Sequence, residues 1–142
     1  MCYANDVPTD AHQLARAVAR LNRRLRQERD TDLTPTQLSV LGAICQLGEA
    51  TPGAIAALER VQPPSITRTL ASLVEAGMAI RTPHPDDGRQ VLMSVSERGD
   101  AVLAEERDRR DLWLSHALDE LTPAERRTLE EAAILLERLS AR

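Results

Sequence analysis

The chain is 142 residues long, with 18 basic and 22 acidic residues and a formal net charge of -4. That length suits one compact domain, or one domain with a dimerising extension, and the apolar content is enough to bury a core. The longest uninterrupted apolar run, Ala132 to Leu136, falls far short of the roughly 20 residues needed to span a bilayer, and no secretory signal is recognisable. A cytoplasmic protein without a membrane partner is expected.

Every basic residue is Arg and Phe is absent, which reads as the imprint of a GC-rich coding sequence and not as a functional signature. Cys2 and Cys45 cannot make a disulfide framework. Cys45 follows Leu38, Leu41 and Ile44 on a helical pattern and is expected as a small core residue. Cys2 would sense oxidants only if a base or helix end lowered its pKa, and nothing local supplies one.

Residues 1 to 8 lack periodicity and are expected to be loose. From about Asp10 to Arg29, Leu14, Val18, Leu21 and Leu25 form a narrow apolar seam, with Arg on most other faces, so this amphipathic helix needs a partner. Thr34, Pro35 and Gln37 supply a cap, a first-turn proline and a reciprocal acceptor for a helix reaching about Leu47. Thr51 and Pro52 repeat the start signal. The short helix they open, through Ile55 and Leu58, is followed by Arg60, Val61 and Gln62, a connection of helix-turn-helix length.

Pro63 and Pro64 suit a first turn whose amides lack partners, and Gly77 suits a left-handed terminus, which predicts a helix over residues 63 to 76. Ile66, Leu70, Leu73 and Val74 recur on one face, and Ser65, Arg68, Thr69 and Ser72 on another, while Thr67 falls closer to the packed side. The second face carries small hydroxyls and a single Arg, so it can approach a base edge or a phosphate, although many solvated helix faces look the same.

Met78 to Thr82 and Val91 to Val95 read as strands, separated by turn chemistry from Pro83 to Gln90. This predicts a hairpin whose tip carries Arg89, with Asp87 placed to orient the guanidinium by a charge-assisted hydrogen bond. An Arg on a thin hairpin fits a narrow minor groove. The competing reading is an ion pair that merely closes a surface turn. A helix followed at once by such a hairpin is the layout of a winged helix, a device for reading duplex DNA.

Ser96 caps a long helix to about Glu120, and Thr122, Pro123 and Glu125 cap a last one to about Leu139. The long helix turns apolar at Leu112, Trp113, Leu114, Ala117, Leu118 and Leu121. The last carries Leu129, Ala132, Ala133, Leu135, Leu136 and Leu139, a wider apolar face than a single solvated helix needs. Burial against a second copy explains both, and an intramolecular bundle is the alternative. The residues expected at the dimer interface are Leu14, Val18, Leu21, Leu25, Trp113, Leu118, Leu129 and Leu136.

Charge is uneven along the chain. Six Arg between residues 16 and 30 stand against Glu28 and Asp30, giving +4, whereas residues 96 to 142 hold eight Arg and twelve acids, giving -4. Residues 60 to 95 sit at +1, which permits DNA docking with modest nonspecific affinity. His12, His84 and His116 have no metal-ligand spacing with each other or with the cysteines, and a solvated turn is the expected setting for His84. Asp86 and Asp87 are far from an organised cation loop, and no phosphate loop or nucleophile elbow is present. No catalytic residue, metal or cofactor is expected.

In order and over nearly its whole length, the chain resembles the MarR family of bacterial transcriptional regulators. The stretch SITRTLASLVEAG resembles the family's recognition helix, and Asp87, Gly88 and Arg89 match its wing pattern of Asp, any residue, Arg. Val95, Ser96 and Gly99 match the strand, cap and glycine that follow. The resemblance implies that Ser65, Thr67 and Arg68 contact the major groove and Arg89 the minor groove. Gly88 stands where many members carry a second Arg, and aromatics are too few for the phenolic-ligand pocket often described. Cys2 and Tyr3 are only faintly similar to the peroxide-sensing branch.

The residues expected to face DNA are Gln62, Pro64, Ser65, Thr67, Arg68, Thr69, Ser72, Arg81, Asp87 and Arg89. The expected fold class is mainly α (α+β), a winged helix-turn-helix DNA-binding domain over 31–98 with helices at 1–30 and 99–142 forming a dimerisation domain. The expected function is a homodimeric repressor of a palindromic operator, its half-sites about one helical turn apart, released by a small-molecule inducer or an oxidant. The alternative is a winged-helix protein-interaction module without DNA binding.

Overall fold

The computed structural model describes residues 10–142. The expectations for residues 1 to 8, and for Cys2 and Tyr3, lie outside them. Six helices and one hairpin follow in the order α1 (Asp10–Gln27), α2 (Pro35–Leu47), α3 (Pro52–Glu59), α4 (Pro63–Glu75), β1 (Ala79–Pro83), β2 (Val91–Val95), α5 (Glu97–Asp119) and α6 (Pro123–Ser140). The chain divides into two compact units, one spanning Asp30–Arg107 and the other joining the segment up to Arg29 with Asp108–Arg142.

Local chemistry sets the helix starts. Thr34 accepts from the Gln37 amide and the Gln37 side chain accepts from the Thr34 amide, which closes a capping box on α2. Thr122 and Glu125 do the same for α6. Thr51 caps α3 by accepting from Ala54 N at 3.2 Å. In each case Pro opens the first turn, where its missing N–H removes no helical bond.

Helix α4 ends in a Schellman motif. Gly77 takes φ 73°, its amide donates to Val74 O at 3.0 Å, and Met78 N donates to Leu73 O at 2.9 Å. That cap consumes Met78, whose side chain is buried, so β1 starts one residue later than the apolar run predicts. At its other end Pro83, expected in the turn, pairs with Val91 as the last residue of the ladder. The same cap geometry ends α3, with Arg60 in the left-handed position at φ 54° and Val61 N donating to Ala56 O at 3.1 Å. Neither the sequence spacing nor the composition pointed to a strained Arg there.

In the unit Asp30–Arg107, helices α2, α3 and α4 enclose Leu41, Ile44, Ile55, Ile66, Leu70 and Leu73, and Met93 closes the core from the hairpin. Ala50 bridges to Met93 through two backbone bonds of 3.0 and 2.8 Å, which ties the wing to the α2–α3 connection. Val102 and Leu103 of α5 pack against the same core. Cys45 is a correction: it is exposed. The buried face of α2 runs through Leu38, Val40, Leu41, Ala43 and Ile44, and Cys45 falls in the last turn, where Gln46 and Leu47 are exposed as well. The seam through Leu38, Leu41 and Ile44 is buried as drawn, but it runs out of core at the helix end, so the residue that continues it is left in solvent.

Ser96 joins two elements. Its hydroxyl donates to Gly77 O at 2.6 Å and accepts from Gly99 N at 3.0 Å, so one side chain caps α5 and holds the end of α4. Gly99 is buried against Met78, and a Cβ there would meet the Met78 carbonyl oxygen and lie 2.8 Å from Val95 Cγ1. No helix among the described residues is long and apolar enough to cross a membrane.

Candidate nucleic-acid interface

Helix α4 divides its surface sharply. Ile66, Leu70 and Leu73 are buried, whereas Pro64, Ser65, Thr67 and Arg68 are exposed, as is Gln62 just before the helix. Thr69 and Ser72 are half-buried, so the exposed stripe is rotated from the one that simple spacing predicts: Thr67 joins it and Ser72 leaves it. The cause is α2, which packs beside α4. Gln37 Nε2 donates to Ser72 Oγ at 3.0 Å, and Ser72 Oγ donates to Thr69 O at 2.7 Å.

The threonine hydroxyls on this side have a defined polarity. Thr67 Oγ1 donates to Pro63 O at 3.0 Å and Thr69 Oγ1 to Ser65 O at 3.2 Å. Their hydrogens are thus used inside the helix, and lone pairs remain to accept from an outside donor such as a base amino group. The Arg68 guanidinium is exposed and has no partner among the described residues. It is a ready, unsatisfied fork of donors.

The hairpin tip is braced from within. His84 N donates to Gln90 O at 3.1 Å, and Gln90 N to Asp87 O at 3.0 Å. His84 is half-buried and not a freely solvated turn residue: its Nδ1 accepts from the amides of Asp86 and Asp87 at 3.1 and 3.3 Å. Asp87 Oδ1 in turn accepts from Arg89 N at 3.0 Å and Arg89 Nε at 3.2 Å. These bonds, backbone first and side chain second, hold the Asp87 carboxyl below its ordinary value, with a smaller contribution from His84. The Arg89 side chain is 92% exposed, so the tip presents a cation whose base is fixed and whose end is free.

Arg81 lies exposed on β1, paired in register with Met93. Arg89, Gln90 and Val91 line an open groove with Thr51, Pro52 and Gly53 at the start of α3. That groove sets a wing cation beside the N-terminus of α3, whose dipole is also suited to an anion. Among the described residues no cluster of His, Cys, Asp or Glu could hold a metal ion.

The residues assigned to dimerisation belong to the other unit. Neither α1 nor α6 has a buried residue. Leu14, Val18, Leu21, Leu129 and Leu136 are exposed, as are Leu135 and Leu139, while Leu25, Trp113 and Leu118 are half-buried. Arg24 stacks over the Trp113 ring at 4.5 Å from its centroid and pairs with Glu28.

Residues 31–90, from the approach to α2 through the wing tip, match the family model described as MarR family. An uncharacterized HTH-type transcriptional regulator of Mycobacterium bovis is 46% identical over 127 residues, covering 89% of each chain. A solved structure from Pseudomonas aeruginosa superposes with a TM-score of 0.82 at 35% identity, covering 94% of this chain and 98% of that one. A variant of MarR from E. coli, solved with operator DNA, has a TM-score of 0.68 at 27% identity over 95% of this chain and 99% of its own. With its three-helix core, its braced wing and these relatives, the chain belongs to the MarR family of winged-helix transcriptional regulators.

Proposed function

We propose that the protein binds duplex DNA as a homodimer, laying α4 in the major groove and the Arg89 wing tip in the flanking minor groove. The observation that carries this reading is the pairing of two exposed cations with different supports. Arg68 stands unpartnered among accepting hydroxyls on α4, and Arg89 projects from a tip braced by Asp87 and His84. Arg68 suits bidentate contact with a guanine, worth about 1–3 kcal/mol of discrimination, and Arg89 suits the negative potential of a narrow minor groove. That a similar structure, a variant of E. coli MarR, was solved with operator DNA supports duplex DNA as the partner.

In this reading, helices within 1–30 and 99–142 bury their apolar faces against a second copy, and 31–98 reads DNA. A twofold dimer reads a palindromic operator with half-sites about one helical turn apart. The protein acts as a repressor, and a small ligand or oxidant that alters the spacing of the two readers releases it.

The test is selection of a high-affinity duplex from a randomised pool, followed by anisotropy titration over a salt series with Arg68→Ala and Arg89→Ala. Arg68→Ala should relax base preference, and Arg89→Ala should weaken all duplexes and lower the salt slope by about one. Parent-like binding by both variants would show that other surfaces meet the DNA. A near-zero salt slope would favour a protein-association role instead.

A further inference from the structure

Ser72 has the sequence spacing of a DNA contact, yet its hydroxyl is already committed on both sides. It donates to Thr69 O at 2.7 Å and accepts from Gln37 Nε2 at 3.0 Å. Gln37 is equally committed: its Oε1 accepts from Thr34 N at 2.8 Å. One half-buried amide therefore ties the start of α2 to the third turn of α4, across 35 residues of sequence. Flipping that amide would break both bonds, because a carbonyl cannot donate to Ser72 and an amino group cannot accept from Thr34.

The core contacts of α4 set its rotation coarsely: Ile66, Leu70 and Leu73 keep one face turned to the core, within the play that side-chain packing allows. A hydrogen bond has a preferred angle, and this one acts at the flank of the buried face. Arg68 lies one turn before Ser72 on the neighbouring surface, so a rotation permitted at Ser72 would swing the guanidinium sideways across the base edges. Bidentate base contact tolerates little of that.

We infer that Gln37 is a positioning residue for the reader helix: through Ser72 it sets the rotation of α4, and with it the register in which Arg68 meets DNA. Ser72 itself makes no DNA contact. This inference rests on the DNA-binding reading above.

A double-mutant cycle in the full-length chain tests it, using Gln37→Ala, Ser72→Ala and the double variant. Affinities are read for the selected duplex and for a scrambled duplex, together with thermal unfolding. Each single change should lower the ratio of selected to scrambled affinity about three- to tenfold, and the double variant should be no worse than Gln37→Ala alone. Thr34→Ala removes the hydroxyl half of the α2 cap but keeps the backbone amide that holds Gln37, so it should lower the melting temperature without changing that ratio. Multiplicative losses in the double variant would mean that Ser72 touches DNA directly, and an unchanged ratio in both singles would mean that no positioning occurs; either overturns the inference. A parent that does not distinguish the two duplexes would instead overturn the DNA-binding reading before any variant is compared.

Discussion

Asp87 holds Arg89 twice through a single oxygen: Oδ1 accepts the Arg89 amide at 3.0 Å and its Nε at 3.2 Å. The amide bond shapes the turn, and the Nε bond sets the direction in which the guanidinium leaves it. Both bonds favour the ionised carboxylate, so the Asp87 pKa is lowered. A group depressed in the folded state contributes stability above its unfolded value and loses it as pH falls through the folded value. Carbon-detected NMR titration should place Asp87 below an ordinary aspartate, and the Arg89 Nε–H signal should change with the same midpoint. Asp87→Asn keeps an acceptor but removes its charge, and is expected to weaken operator binding about two- to fivefold. Unchanged binding would mean that the wing needs no brace.

The Gly99 contact allows no side chain. A methyl group there collides with the Met78 carbonyl, which is backbone, and crowds the Val95 side chain. Gly99→Ala should destabilise by about 1–3 kcal/mol, despite the better helix propensity of Ala. Urea unfolding is the measurement, and a midpoint equal to the parent would mean that α5 shifts freely at its start.

Arg60 sits in a left-handed conformation that disfavours any residue with a Cβ. Arg60→Gly relieves about 1 kcal/mol of that strain, partly offset by the greater freedom of Gly in the unfolded chain. A net gain of about 0.5 kcal/mol is expected, seen as a higher denaturant midpoint with an unchanged slope. Arg60→Ala should show no gain, since the strain remains.

The exposed position of Cys45 can be checked directly. In a Cys2→Ser background, the folded protein should react with a thiol reagent at a rate close to that of the unfolded chain. Cys45→Ser should change stability by no more than about 0.5 kcal/mol. A slow thiol and a larger loss would return Cys45 to an interior.

Leu21 is 46% exposed in the single chain, so a charge there costs the isolated protomer little. If α1 is buried against a second copy, Leu21→Glu places an unpaired carboxylate in that interface. Sedimentation equilibrium should then show dimerisation weakened more than tenfold, with helix content preserved. An unaltered association constant would remove α1 from the interface.

Much of the architecture was legible because short-range chemistry writes it. Thr34 with Gln37, Thr51 with Pro52, Ser96, and Thr122 with Glu125 each satisfy amides within four residues, so the helix starts and the order of elements could be read directly. The Asp87–Arg89 relationship was legible for the same reason, since two residues of separation leave it little choice of geometry.

What the tertiary structure alone decided was which way the faces turn. Ser72 lies near the boundary between a buried and an exposed face, where a shift of tens of degrees reverses the outcome, and Cys45 lies where α2 runs past the core. Neighbouring helices, not the residue itself, set that angle. The half-buried Gln37, reaching from one helix to the next, is the clearest case: its role as a cap is written in the sequence, and its hold on Ser72 exists only because folding brings α2 beside α4.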